Sequence, residues 1–487
     1  MCDLRALVLA AAAAGGTAAL HAQAPLQFVS APLPNIVFPI ATDTAFGDLD
    51  ADGDSDLAVI ASSGPKVYRN DGSGVFTDLT AALPALSSNM RTAAFVDVDG
   101  DQRRELLLTF DAQARLFQLL PSGLWQEITS NLPALMPTIH SAVAVDIDND
   151  GDEDLACAGH WLSGGANQLL TNNGLGVFTA SQPFPGTSFQ MLAADVDQDG
   201  DADLFASRDG LVLWRNDGNG AFTDVSAVQL PAGLGSPSAM DLGDVDGDGL
   251  VDLVLGRSAI GDVLLPNVGG GVFGLRILTV PQPSAFTLTV ALADVDADGQ
   301  LDWPRGTINY GQPTLWLGAG FGRFIDASWR LPTVSSIACQ LRARDLDGDD
   351  DPDLVLTGLG TPPQVLWNRH RHVAITQQPV LGGAIAFELS SQPGYGADGR
   401  IGLVGLSLAR FDPMVDLPPF GRLGLDLAQV ELLGFAAFGS NAGTSTFSLA
   451  VPAQPQFLGL PLYVQGLVED QPGASARFTA LCGTVVR

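Results

Sequence analysis

An acidic nonapeptide that returns seven times constrains this chain more than any other feature. The first copy reads Asp48-Leu49-Asp50-Ala51-Asp52-Gly53-Asp54-Ser55-Asp56, a D-x-D-x-D-G-x-x-D pattern, and the apolar run Leu57-Ala58-Val59-Ile60 follows it. Full copies also start at Asp146, Asp195, Asp244 and Asp294, and looser copies at Asp97 and Asp345. Successive first aspartates lie 49, 49, 49, 49, 50 and 51 residues apart. A period that even is an architecture: each unit is one piece of supersecondary structure, stacked on the next.

Alternate aspartates on a tight loop converge hard oxygen ligands on one point, which suits calcium. Glycine at the sixth position permits the sharp turn that brings the ninth residue back. The expected ligands are Asp48, Asp50, Asp52 and Asp56; Asp146, Asp148, Asp150 and Asp154; Asp195, Asp197, Asp199 and Asp203; Asp244, Asp246, Asp248 and Asp252; Asp294, Asp296, Asp298 and Asp302; and Asp345, Asp347, Asp349 and Asp353. The loops are not EF-hands. Val59, Ala206 and Leu255 stand where an EF-hand needs its bidentate Glu. The residues that follow are strand-like, as in Leu253-Val254-Leu255, so each loop reads as a turn between two strands.

Net charge is −31, and more than half of the 54 Asp and Glu residues sit inside these loops. The acidity is therefore mostly ligand charge, and a basic nucleic-acid footprint is absent. The 487 residues carry 56 Gly and 31 Pro with 16% charged residues, a composition for many short strands and turns. Residues 1–24 read as a secretory signal: Arg5, then an Ala-rich apolar stretch from Ala6 to Leu20, with cleavage after Ala24 or Ala22. No other stretch reaches the ~18 apolar residues that span a bilayer, so no transmembrane segment is expected. Cys157, Cys339 and Cys482 remain beyond the signal, an odd number without framework spacing, and read as buried thiols.

Each repeat reads as four short strands. In the first, Ala45-Phe46 leads into the acidic turn, Leu57 to Ser62 leaves it, Val67 to Asn70 is third and Phe76 to Leu79 fourth. Asn70-Asp71-Gly72-Ser73-Gly74 between the last two supplies the positive φ of a tight hairpin, and Asn172-Asn173-Gly174 and Asn216-Asp217-Gly218 repeat it. A four-stranded antiparallel unit repeated in this way is a propeller blade. The seventh unit ends at Val365-Leu366-Trp367-Asn368 without a fourth strand, and the surplus segment around Phe28 supplies one. Residues 26–31 are therefore expected as the outer strand of the seventh blade.

Residues 26–372 resemble the FG-GAP and VCBS-type repeats of secreted bacterial proteins and the calcium-bearing blades of the integrin alpha-chain propeller. The resemblance implies a seven-bladed propeller whose acidic loops join the first and second strands of each blade. It implies roles in adhesion, in carbohydrate or protein binding, or as accessory domains of enzymes. Two loops depart from the pattern. In the second, Gln102 replaces glycine, Arg103 and Arg104 intrude and Glu105 replaces the last aspartate, so two cations beside three aspartates should weaken the site or replace its ion. In the seventh, Asp350 replaces glycine and Pro352 precedes Asp353.

From His372 the period stops. Residues 373–487 alternate short apolar runs with Gly and Pro, including Ala384 to Leu389, Gly402 to Leu406, Thr446 to Leu449 and Leu462 to Gln465, and read as a separate β-sandwich.

No G-x-S-x-G, H-E-x-x-H or P-loop is present, and the paired carboxylates are committed to the loops. No catalytic residue stands out. On the face opposite the acidic turns, Arg91, His140, His160, Trp161, Phe189, Arg305 and Tyr310 are candidates for one ligand patch, aromatic surface beside hydrogen-bonding groups suiting a sugar; the alternative is loop residues with no shared task. Five residues before each first aspartate stand Asp43, Thr92, Ser141, Gln190, Ala239, Thr289 and Gln340, either a polar ring at the mouth of the channel or hydrogen bonds between blades. The expected protein is all-β: signal 1–24, seven-bladed calcium-loop propeller 25–372, sandwich 373–487. Its expected role is a secreted, calcium-stabilised monomer with about five to six calcium sites, binding an extracellular glycan or protein. The second reading is an extracellular polysaccharide-active enzyme.

Overall fold

A computed structural model describes residues 28–31, 41–61, 64–84, 86, 90–110, 113–133, 139–159, 165–207, 210–257, 261–277, 286–296, 299–307, 312–334, 338–348, 351–358, 361–368, 373–377, 383–390, 400–407, 410–416, 422–425, 431–438, 444–451, 453, 461–469 and 476–485. The segment assigned to the signal, 1–24, lies outside them. Seven four-stranded antiparallel sheets follow one another along the chain. The first blade pairs Ala41–Gly47, Asp56–Ala61, Gly64–Asn70 and Phe76–Asp78 in order. The next five repeat this order, and their innermost strands are Met90–Val96, Ile139–Val145, Gln190–Ala194, Pro237–Gly243 and Thr287–Val290.

The seventh blade is assembled from both ends of the propeller. Ala338–Arg344, Asp353–Gly358 and Thr361–Trp367 take Val29–Ala31 as their fourth strand, with Val29 opposite Trp367 and Ala31 opposite Val365. Phe28 is buried beside Leu315, Leu341, Leu354 and Leu366, and its N–H donates to the Arg330 carbonyl of the sixth blade at 3.0 Å.

Blades pack face to face, so the second strand of each is covered on both sides. Asp56–Ala61, Glu105–Phe110, Asp154–Gly159, Asp252–Arg257 and Asp353–Gly358 are buried at every position. This is why their sequences run apolar without alternation after the leading acid. Among the described residues the apolar core divides into clusters that each span one blade junction: first with second, second with third, and so on round to seventh with first. The cluster joining seventh to first contains Leu57, Val59, Leu346, Val355 and Val365.

Residues 373–485 add further antiparallel sheets. One orders Val373–Gln377, Ala384–Ser390 and Thr444–Ala450; a second orders Glu431–Phe438, Arg400–Ser407, Pro461–Glu469 and Ala476–Val485; Arg410–Asp416 pairs with Arg422–Leu425. The chain is all-β. Helix among the described residues is confined to single turns such as Ser226–Gln229, and none is long and apolar enough to cross a membrane. Cys157 is free and buried, with burial pushing its thiol up to about 12.

Deleting residues 25–34 should leave the third strand of the seventh blade as an open edge. The truncated protein should melt several degrees lower and self-associate. A truncated chain that stays monomeric and melts with the intact protein would refute closure by the N-terminal strand.

Candidate metal loops and the opposite face

Each acidic nonapeptide is folded by its own carboxylates. In the first loop Asp48 Oδ2 accepts the Gly53 N–H at 2.8 Å, and Asp48 Oδ1 accepts those of Asp50 and Asp52. The same bond from the sixth residue to the first recurs at Gly151, Gly200, Gly249 and Gly299, at 2.9–3.0 Å. In the first five loops two backbone positions take positive φ. Gly53 stands at 87°, as the glycine pattern led one to expect, and Ala51, in the fourth position, at 61°. Asn149 and Gln198 occupy that fourth position at 59° and 63°. The left-handed region disfavours such residues by about 1 kcal/mol each, so the loops carry strain that their hydrogen bonds offset.

The ninth residue is the most enclosed. Asp56 is fully buried; its Oδ2 accepts the Leu49 N–H and its Oδ1 the Asn70 N–H, both at 2.7 Å. Asp154, Asp203, Asp252 and Asp353 repeat the pair of bonds to the loop's second residue and to an asparagine ending the third strand. Asp302 does the same with Gly318 in place of the asparagine. Those asparagines then reach across. The Nδ2 of Asn70, Asn172, Asn216, Asn267 and Asn368 donates to the carbonyl of Leu346, Val98, Ile147, Val196 and Val295, each the second residue of the preceding blade's loop, at 2.6–3.0 Å. By their local sequence Asn70, Asn172 and Asn216 read as turn residues only. Their recurrence after the third strand is the signal that marks the second role.

Carboxylate oxygens of Asp48, Asp50 and Asp56 lie within 4.8 Å of one another, as do those of Asp146, Asp148 and Asp154; of Asp195, Asp197 and Asp199; and of Asp244, Asp246 and Asp248. In these loops the third residue aims a buried oxygen at nothing: Oδ1 of Asp50, Asp148, Asp197 and Asp246 has no hydrogen-bond partner. A buried anionic oxygen without a donor is strongly disfavoured. Such oxygens, converging with two or more other carboxylates, fit a hard cation. Asp294, Asp296, Asp302, Asp345, Asp347 and Asp353 occupy the corresponding positions of the last two loops, while Asp298 and Asp349 lie outside the described residues. Guanidinium groups stand at some rims: Arg69 is 3.4 Å from Asp50, and Arg215 contacts Asp197 and, at 3.1 Å, Asp199.

The second loop corrects one expectation. Arg104 does not lie among its own aspartates; it forms a two-pronged pair with Glu153 of the third blade at 2.7 and 2.9 Å, and Glu153 also accepts the Asp97 N–H. Asp97, Asp99 and Asp101 still gather their oxygens within 4.8 Å. Gln102 holds the sixth position at φ 71° and donates its N–H to Asp97.

On the opposite face the structure places the proposed patch residues unequally. Arg91, His140 and Phe189 stand at one equivalent position, six residues before the first aspartate, on three consecutive blades, and all are exposed. His140 and Phe189 meet edge to face at 5.8 Å. A bulge between Ile139 and Ser141 turns His140 out of the ladder. Beside Phe189 a pocket of about 260 Å³ is lined by Asn167, Gly186, Ser188, Gly210, Val212 and Trp214. His160, Trp161 and Tyr310 lie outside the described residues. Arg305 is not on this surface. It is 1% exposed, because its guanidinium pairs with Asp262 of the fifth blade at 2.6 Å and lies over Trp303. The polar position beside the patch joins blades: Asp43 accepts from Thr92, Gln190 exchanges bonds with Met240, Thr289 with Leu341, and Gln340 accepts the Thr44 N–H.

Burial, reinforced by neighbouring aspartates, raises Asp56 and Asp302 to about 8, and burial raises Asp154, Asp203 and Asp252 to about 6. Folded carboxyls that titrate above their unfolded values hold protons that the unfolded chain releases. The metal-free protein must therefore lose stability as pH rises from about 4 to 8. In chelator, the melting temperature should fall steadily from pH 5 to pH 8; a rise over that range would show that these carboxylates are not held in the metal-free fold as described.

The model of a family described as FG-GAP-like repeat matches residues 48–108, 97–157, 146–206, 195–255 and 244–303, which together span more than half of the chain. No curated protein matches. Among solved structures, a likeness is found to a lectin of Agrocybe aegerita, described as specifically recognising non-reducing terminal N-acetylglucosamine. It is 16% identical, covers 65% of this chain and 81% of that one, and has a TM-score of 0.45, too low to carry an inference about ligand. With its seven acidic-loop blades and matching repeats, the chain belongs to the FG-GAP-like repeat family.

Proposed function

We propose that this is a secreted, calcium-stabilised propeller that binds an extracellular carbohydrate or protein on the face opposite its acidic loops. The observation that carries the calcium reading is the set of buried, unpartnered Oδ1 atoms of Asp50, Asp148, Asp197 and Asp246 beside other carboxylates. An all-oxygen donor set of converging carboxylates suits calcium, which takes six to eight oxygens, better than the smaller magnesium. Bound calcium supplies the positive charge that makes ionised ninth-position carboxylates stable inside the fold. Export rests on the apolar stretch at residues 6–20. The binding reading rests on Arg91, His140 and Phe189 at equivalent exposed positions of three consecutive blades, Phe189 following Ser188 of the pocket that Trp214 also lines. A cation, an imidazole and an aromatic ring exposed at one level of neighbouring blades suit a polar ligand with an apolar face, as a sugar has.

Calcium binds the folded loop better than the open chain and stabilises by mass action. At ~1 mM free ion and a dissociation constant of ~0.1 mM, each site contributes about 1.4 kcal/mol. Five such sites give on the order of 7 kcal/mol, comparable with the stability of a whole domain. Calorimetry of the intact protein should show one transition, that of the propeller, falling strongly in chelator. A calorimetric profile indifferent to calcium would mean that the acidic loops are turns and not metal sites.

The ligand reading is tested on a glycan array with calcium present. Retention should be seen for the wild type and lost, with melting temperature unchanged, in a variant carrying Arg91→Ala, His140→Ala and Phe189→Ala. Retention undiminished in the variant would place the ligand elsewhere. Cleavage of the arrayed glycan, instead of retention, would establish the enzymatic alternative.

A further inference from the structure

Two arginines stand at the same place in different blades. Arg69 and Arg215 each precede the asparagine at the end of a third strand, and each faces a threonine of the outer strand, Thr77 and Thr223. The corresponding residues of the other blades are Gln118, Thr171, Pro266, Leu317 and Trp367. Both guanidinium groups meet the acidic loop of their own blade at its third residue. Arg69 Nη1 is 3.4 Å from Asp50 Oδ2; Arg215 Nη2 contacts Asp197 Oδ2 and lies 3.1 Å from Asp199 Oδ2.

Each of these two aspartates is divided between two tasks. Its Oδ2 faces the guanidinium, and its Oδ1 is the buried oxygen without a hydrogen-bond partner. The Asp197 side chain is 7% exposed, so its Oδ1 is held in the interior beside the oxygens of Asp195 and Asp199. Asp148 and Asp246, the third residues of the third and fifth loops, carry the same buried Oδ1. Thr171 and Pro266 stand at the arginine's place there and bring no charge. Among the described residues no ion pair reaches Asp148 or Asp246. Arg276 acts on Asp246 through space alone, its guanidinium being given to the Phe321 carbonyl. A guanidinium on such a carboxylate relieves the crowding of acids in the loop. It also opposes a cation at the neighbouring oxygen, because it shares the carboxylate's charge and repels the ion directly.

We propose that Arg69 and Arg215 are built-in competitors of the metal, which divide the loops into two classes: the third and fifth bind calcium tightly, the first and fourth more weakly. This rests on the calcium reading of the loops and deepens it. Arg215 is the stronger competitor, being half-buried and in contact with two of the loop's carboxylates. Arg69 is exposed and its contact is longer, so water screens more of its effect. Over an intermediate range of calcium the third and fifth loops are loaded, while the first and fourth are held by a counter-charge of the chain's own. Those two blades therefore keep their turns at calcium levels that would leave an arginine-free loop self-repelling.

The test is calorimetric titration of the chelator-stripped full chain with calcium chloride, with melting temperatures read in chelator and in saturating calcium. The wild type should bind in a tight and a weak phase. Arg215→Gln should move one ion into the tight phase, with an affinity gain of about tenfold, and Arg69→Gln should give a smaller gain. In chelator Arg215→Gln should melt below the wild type, because its loop loses a counter-charge; in saturating calcium it should melt no lower. A merely structural arginine would lower both temperatures. Arg115→Gln, which breaks a pair with Glu127 of the outer strand, should leave the isotherm unchanged. The reverse change, Thr171→Arg, should move one ion from the tight to the weak phase, and it keeps the test decisive should Arg215→Gln not fold. Calcium binding by the wild type with an isotherm unaltered in both Arg215→Gln and Thr171→Arg overturns the proposal and leaves the calcium reading standing. Absence of any calcium binding overturns both. An equal gain in Arg115→Gln would trace the effect to net charge and would refute the competition.

Discussion

Each blade hangs on a buried carboxylate. In every blade but the second, the ninth residue of the acidic loop binds the backbone of its own turn with one oxygen and the end of the third strand with the other, as Asp56 does with Leu49 and Asn70. One side chain thus fixes the turn between the first two strands and ties it to the third. The N–H groups it satisfies would otherwise be unpaired in the interior. The carboxylate is also the reason the fold is sensitive to charge. Its burial opposes ionisation, and three or more further acids surround it in the same loop.

The same loop joins the blades. Its second residue is buried as an apolar plug, donates its N–H to the ninth residue, and gives its carbonyl to an asparagine of the next blade, as Leu346 does to Asn70. Through that bond the seventh blade holds the first, so the ring is closed by side chains as well as by the strand Val29–Ala31. The second blade lacks the asparagine: Leu119 occupies the position that Asn70 has, and Glu105 Oε1 is buried without a partner. Its link to the first blade comes instead from the Arg104 N–H, which donates to the Asp48 carbonyl at 2.8 Å. A departure in one element of the unit is offset by a local substitute at the same junction.

The turn-holding carboxylates and the exposed residues that vary between blades lie at opposite ends of the strands. The acidic loops lie at one end of the strands, where carboxylates are spent on holding the turns. At the other end some of the first strands begin with a bulge, which releases Arg91 and His140 from ladder pairing, while the Phe189 N–H donates to the Ser207 carbonyl at 2.8 Å. Arg91 and His140 can therefore differ from their counterparts on other blades without disturbing the sheets. Hydrogen bonds such as Gln190 with Met240 hold the strands just beneath them.

The sequence by itself determined the blade number, the strand order within a blade, the loops as the places of converging carboxylates and the origin of the last outer strand. These were legible because each depends on local spacing: the even step from Asp48 to Asp345, the Asn-Gly and Asp-Gly hairpins, and the missing strand after Trp367 all lie on the chain itself. What only the tertiary structure decided involves neighbours from other repeats. Arg104 reads as a cation beside Asp97 until the third blade offers Glu153. Arg305 reads as a surface residue until Asp262 of the fifth blade takes it into the interior. Periodicity fixes what each unit is, because it repeats within reach of one turn; the pairing of charges across blades depends on the closed ring, which no single unit contains.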